Sequence, residues 1–193
     1  MKMRVGRPRS EAAKKAILQA VIQLLEETSY SDLTIESIAN VAGVGKATIY
    51  RWWTHKTFLV LDAFLLTVET NLKFHENTTF RENFRQHLNT LSAMLNSSLG
   101  RTIVSLVAES GADSELANKF TTEYLKPRRE QSRKLLQAAI DNGEIQPYIN
   151  LDIVLDMFYG PVYFRILIYK KEVDSTYIDS LIEQVMKGIT SMY

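Results

Sequence analysis

The chain contains no cysteine. Disulfides, thiolate metal sites and cysteine nucleophiles are excluded together, and the composition suits a reducing cytosol. Proline is scarce, at 4 residues, and glycine numbers only 8 in 193. Loops should therefore be short and regular elements long. Long hydrophobic runs are also missing. The longest apolar stretch, around residues 158–169, is interrupted by Arg165 and is too short and too polar to span a bilayer, so no membrane association is expected. The basic N-terminus is not followed by an apolar segment, so no signal peptide is expected. HExxH, GxSxG and phosphate-loop motifs are absent. The three histidines, His55, His75 and His87, are scattered, and His75 with Glu76 reads as a solvated helix face. Nothing here composes a catalytic constellation, so neither an enzyme nor a cofactor or metal is expected.

What is present is a packed, helical chain. Hydrophobic residues make up 46% of it, far from a disordered composition. No segment alternates with period 2, and apolar positions recur at helical spacing almost throughout. The reading is all-α, with about nine or ten helices. A net charge of +1 hides an asymmetry. Residues 1–60 hold nine Lys/Arg against five acids, a net of +4, and the remainder holds 14 against 17, a net of −3. A basic head on a mildly acidic body suits an end that meets nucleic acid.

Residues 1–9 are basic and non-periodic, a candidate arm. Ser10 can cap a first helix that ends near Glu27, and 28–32 reads as a turn. Thr34 stands at the N-cap position of a second helix that ends before Gly43, which suits a left-handed turn residue. A third short helix is expected from about Gly45 to Trp53, and a longer one after the break at 54–56. Further breaks are expected at 77–79, Gly100, 111–114, Pro127, 142–147 and 172–175.

The informative segment is 34–56, TIESIANVAGVGKATIYRWWTHK. Two short helices around a tight turn at Gly43 form a helix-turn-helix, whose second helix can enter a major groove. Ala39 is small where the helices would cross. Val44 and Ile49 are apolar where the second helix would pack back. Thr34 can cap its helix and offer a hydroxyl or amide to a phosphate, as can the Tyr50 hydroxyl, and Lys56 can neutralise one. Lys46, Ala47, Thr48 and Arg51 are candidates for base edges, the cations for guanine and the small groups for a thymine methyl. Trp52 suits either the core or the DNA, and Trp53 is expected partly exposed near the DNA backbone. Arg7 and Arg9, on an extended segment with Gly6 and Pro8, suit either an A·T minor groove or a basic tail of non-specific attraction.

This segment resembles the tetracycline-repressor (TetR) family of bacterial regulators. Thr34, Ile38-Ala39, Ala42-Gly43-Val44, Lys46, Thr48-Ile49-Tyr50 and Lys56 carry the resemblance, followed by the apolar helix from Phe58. It covers residues 10–65 and beyond them rests on length and helical texture. The family often has Ser where Gly45 stands. Glycine is a tolerable N-cap, weaker by a few tenths of a kcal/mol.

The resemblance implies an arm at 1–9, a DNA-binding domain at 10–57 and a helical ligand-binding and dimerisation domain at 58–193, linked by a helix at about 58–76. It implies a two-fold homodimer built on the last two long helices, here 151–169 and 176–192. Met157, Phe164, Ile168, Ile178, Leu181, Ile182, Val185 and Ile189 are the interface candidates. It also implies an unidentified small-molecule effector, apolar or aromatic, with Phe74, Phe120, Tyr124, Tyr159 and Tyr163 as pocket candidates. Gly160-Pro161 should kink the first of those helices, for a pocket or for packing at the dimer interface. The expected function is a sequence-specific regulator of duplex DNA in the bacterial cytoplasm, a ligand-released repressor on a palindromic operator. An activator of the same fold and a helical protein-binding adaptor are the alternatives.

Overall fold

The computed structural model describes residues 11–74 and 78–190, and every regular element among them is helical. The arm, with Arg7 and Arg9, the candidate cap Ser10 and the expected break at residue 77 lie outside these residues. The chain divides into two compact units, the first ending at Phe64 and the second beginning at Leu65.

The first unit is built from α1 (Glu11–Glu27), α2 (Ile35–Ala42), α3 (Lys46–Tyr50) and the start of α4 (Lys56–Asn71). Ile17, Leu18, Val21 and Leu25 form one buried stripe on α1, and α2 packs against it. Ile38 and Ala39 of α2 and Ile49 of α3 complete this core with Leu59, Val60 and Leu61 of α4. Helix α3 is shorter than its spacing suggests. It ends at Tyr50, and Trp52 and Trp53 follow as a turn whose N–H groups both donate to Ile49 O, at 2.9 and 3.0 Å.

The second unit comprises α5 (Phe80–Asn96), α6 (Ser98–Ser110), α7 (Glu115–Phe120), a π-helical turn (Thr121–Leu125), α8 (Lys126–Asp141), α9 (Leu151–Leu167) and α10 (Ser175–Ile189). Side-chain caps set several starts: Thr79 for α5, Ser97 for α6, Ser114 for α7, Asn150 for α9 and Asp174 for α10. Helix α5 lies against α6, α8, α9 and α10, and its Phe80, Phe84, Leu88, Leu91 and Leu95 are buried.

Two expected breaks fall differently. The break near Gly100 lies at Ser97, and Gly100 sits inside the first turn of α6. A Cβ on Gly100 would stand 2.0 Å from Met94 O, so glycine is there for the tight α5–α6 corner. Pro127 does not interrupt the chain either. It occupies the first turn of α8, where a missing N–H is tolerated. The preceding π-turn, with Lys126 N–H donating to Thr121 O, carries α7 into α8. Helix α9 carries Gly160-Pro161 inside it and runs on to Leu167. No helix among the described residues is long and apolar enough to cross a membrane.

Candidate DNA-binding face and ligand cavity

In the first unit, the second helix begins with a reciprocal cap. Thr34 Oγ1 accepts from Ser37 N–H at 3.0 Å, and Ser37 Oγ accepts from Thr34 N–H at 3.2 Å. The exposed Thr34 thus already spends its amide locally. The turn closes as a Schellman motif: Gly43 is left-handed at φ 65, its N–H meets Asn40 O, and Val44 N–H meets Ala39 O. Gly45 then starts α3 in extended conformation with no side-chain cap.

Ile49 anchors α3 in the core. This leaves Lys46, Ala47, Tyr50 and Arg51 exposed and Thr48 half-buried, on one outward face. Tyr50 is 56% exposed. Lys46 is held by an exposed ion pair to Glu36 on α2, at 2.8 Å. Lys56 is more tightly held. Its Nζ donates to Tyr30 O at 2.7 Å and to Leu33 O at 2.6 Å, and lies 4.2 Å from the centre of the Tyr30 ring. Burial lowers its pKa, with the Asp32 charge opposing. Lys56 therefore ties the α1–α2 turn to the start of α4.

Trp53 corrects an expectation. It is 5% exposed, and its Nε1–H donates to Asp62 Oδ2 at 2.8 Å. The short α3 turns the chain inward at this point, and Asp62, nine residues on, satisfies the indole. Trp53 is a core residue, not a partly exposed one. Trp52 is half-buried, with the Lys14 ammonium 5.1 Å from its ring.

In the second unit a cavity of about 410 Å³ opens between helices. Helix α5 contributes His87 and Leu91, and the π-turn contributes Thr121, Tyr124 and Leu125. Helix α8 contributes Lys126, Arg128 and Arg129, and α9 contributes Asp156, Tyr159, Gly160 and Tyr163. Leu72, just after α4, closes it. Three expected residues, Tyr124, Tyr159 and Tyr163, line it. Phe74 and Phe120 stand one layer back, stacked on His87 at 4.2 Å and tilted on Tyr124 at 4.8 Å between ring centres.

The buried wall is uncharged. Burial, aided by the Arg128 charge, lowers the His87 pKa to about 3. Burial pushes Tyr124 up to about 12 and raises Tyr159 and Tyr163 as well. The hydroxyls of Tyr124 and Tyr163 meet at 2.9 Å. Tyr159 Oη lies 2.6 Å from Ser132 Oγ and 2.8 Å from His87 Nε2.

The interface candidates separate into two groups. Ile178, Ile182, Val185 and Ile189 are only 0–3% exposed. They form the one stripe by which α10 packs on α5 and α9 of its own chain. They belong to the internal core, and the expectation that they meet a second copy is corrected. Leu181 is half-buried. Helix α9 carries large apolar residues on its outer as well as its inner face, alongside the charged Asp152, Asp156 and Arg165. Val154, Leu155, Phe158, Val162 and Ile166 face inward, so Ile153, Met157, Phe164 and Ile168 are left 42–63% exposed.

Known proteins decide what this assembly is. Residues 17–63 match the family model described as bacterial regulatory proteins, tetR family. Residues 75–185 match a tetracyclin repressor-like C-terminal domain. The chain belongs to the TetR family. An uncharacterized HTH-type transcriptional regulator of Bacillus subtilis, YdeS, is 34% identical over 189 residues, covering 98% of this chain and 96% of that one. The crystal structure of a TetR family regulator, SCO0332, is 29% identical with TM-score 0.77, over 93% of this chain and 99% of its own. Bacillus subtilis FadR, solved in complex with stearoyl-CoA, shares the fold at 21% identity and TM-score 0.66, over 91% and 98% of the two chains. As a TetR protein the chain is a DNA-binding transcriptional regulator, and its α2–α3 pair is the helix-turn-helix.

His87, Ser132 and Arg128 belong to the cavity and its hydrogen bonds but were not singled out from the sequence. One signal was there for His87. With Phe84, Leu88 and Leu91 it occupies the apolar stripe of α5, where an unpaired histidine is out of place.

Proposed function

We propose that this TetR protein is a homodimeric repressor that binds a palindromic operator and is released from it by a small molecule held in the α5–α9 cavity. The observation that carries the dimer is the exposed Ile153–Met157–Phe164–Ile168 stripe of α9. Four large apolar side chains on one helical face are the signature of a surface to be covered. A second copy, related by a two-fold axis, would set two α3 helices about one helical turn of DNA apart, or a multiple of it.

On each half-site Lys46, Ala47, Thr48 and Arg51 meet base edges. Tyr50 and Thr34 meet phosphates, and Arg7 and Arg9 follow the adjacent groove. Lys56 has two of its three protons committed to backbone carbonyls. It acts on DNA through the one that remains and by holding the α1–α2 turn. The ligand reading is supported by the size of the cavity, within the range of small-molecule sites, and by FadR, which has this fold and holds stearoyl-CoA. A ligand that favours one spacing of the two heads lowers operator affinity by that difference. The protein works in the cytoplasm, where the operator is.

Binding-site selection followed by operator titration with and without bound effector tests this. Release of the operator by a cavity ligand supports the repressor. Operator binding that tightens with the ligand contradicts it.

A further inference from the structure

The proton count around His87 says more about the effector than the shape of the cavity does. Ser132 Oγ–H donates to Arg128 O at 2.9 Å. A hydroxyl has one proton, so the 2.6 Å contact between Ser132 and Tyr159 must use the proton of Tyr159. Tyr159 Oη is then an acceptor toward His87, and the 2.8 Å contact must use an Nε2–H. A neutral imidazole has one N–H. Nδ1 therefore carries a bare lone pair, and it has no hydrogen-bond partner among the described residues although it is fully buried. His87 lines the cavity and is 2% exposed. An unsatisfied buried acceptor in a ligand site is unfavourable until something donates to it.

The rest of the wall narrows the chemistry. The rings of Tyr124, Tyr159 and Tyr163 and the side chains of Leu72, Leu91 and Leu125 make it apolar and aromatic. The charged residues of the lining are the less buried ones, and three are engaged. Arg129 bonds Asp156 at 2.7 Å, and Arg128 bonds Leu72 O and Gln131 at 2.9 Å each. Arg128, whose charge acts on His87, Tyr124 and Tyr159, is already bonded to Leu72 O and Gln131, and the unsatisfied group at the buried end is an acceptor, which a carboxylate without a proton cannot serve. The π-turn that supplies Thr121, Tyr124 and Leu125 is a local distortion of a kind found at functional sites.

We infer that the effector is an uncharged aromatic molecule bearing a hydrogen-bond donor, of the phenol type, which donates to His87 Nδ1 once a small shift of the ring opens that buried atom to the cavity. This rests on the reading of the cavity as the effector site. The donor enters the one gap in the Arg128–Ser132–Tyr159–His87 chain, and the aromatic body lies among the tyrosine rings.

The test uses the full-length protein and three matched probes: 4-phenylphenol, its methyl ether and biphenyl-4-carboxylate. Calorimetry is expected to show the phenol binding about tenfold tighter than the ether, with the carboxylate weakest. His87→Phe should bring phenol and ether to equal affinity. Should that variant not fold, histidine ¹⁵N spectra of the wild type give the same answer. The bare Nδ1 resonance of His87 should move upfield when the phenol binds and stay in place with the ether. Equal binding of phenol and ether, an unmoved Nδ1, or no binding by any probe overturns the inference. Tightest binding by the carboxylate overturns it too, in favour of an anion held by Lys126 and Arg128. Phenol binding at His87 that leaves operator affinity unchanged upholds the inference and removes the ligand-release reading instead.

Discussion

His87 is the residue with the clearest consequence outside DNA binding. Its pKa is lowered from 6.5 to about 3 by burial. Between those values the unfolded chain binds a proton that the folded chain does not, so stability is lost as pH falls through this window. From pH 7 to pH 5 the loss should be about 2 kcal/mol from this group, and His87→Phe should flatten that part of the denaturation profile. Lys56 offers a second check. Lys56→Met leaves Tyr30 O and Leu33 O without their donor and should destabilise the first unit by about 1–3 kcal/mol, seen as a lower melting temperature without DNA. A lysine that only met phosphate would leave melting unchanged. Glu36 makes the opposite kind of test. Its pair with Lys46 is exposed and weak, so Lys46 can exchange partners readily, and Glu36 adds a negative charge beside the DNA-binding face. Glu36→Gln should raise DNA affinity several-fold at low salt, with the gain shrinking as salt rises, by fluorescence anisotropy. Thr34 and Gly43 were legible in the sequence because each has a local requirement, a cap or a left-handed turn, whereas the hold of Lys56 on Tyr30 O and Leu33 O lies in contacts 26 and 23 residues away. Ser132 and the bare nitrogen of His87 were not legible, since their meaning lies in contacts 27 and 72 residues away.

Elements were legible where their ends are chemical. Thr34, Asn150 and Asp174 cap helices through their own side chains, and Gly43 ends one through its φ. Elements were misread where the reason is tertiary. Gly100 looks like a helix breaker in one dimension, yet it is the small residue that lets α6 begin against α5. Gly100→Ala should cost about 3 kcal/mol or more, because the clash is with backbone at Met94 and not with a side chain that can turn away. Chemical denaturation measures it, and a loss under about 0.5 kcal/mol would mean the corner is looser than described. The π-turn has no sequence pattern of its own, and Pro127 draws attention to the right place for the wrong reason. Helix α10 was half-read. Its apolar spacing is plain, but spacing alone does not say whether a stripe faces its own chain or another. Only the position of α5 against it settles that Ile178, Ile182, Val185 and Ile189 are internal.

At the scale of the whole molecule, the proposed dimer would make the helix-turn-helix and the α9 stripe work together. One copy presents one α3 helix, and specificity for a palindrome requires two held at fixed spacing. Phe164→Glu places a carboxylate in the middle of the exposed α9 face without touching the buried core. The variant should fold, as judged by circular dichroism, and run as a monomer in light scattering. The most direct measurement of the account is binding-site selection from a random duplex library at stated salt, run on the wild type and on Phe164→Glu side by side. The account predicts a two-fold symmetric motif for the wild type and its loss in the variant, with only salt-sensitive, sequence-indifferent binding left. A wild-type motif without two-fold symmetry, or a symmetric motif that survives in a monomeric variant, would contradict it.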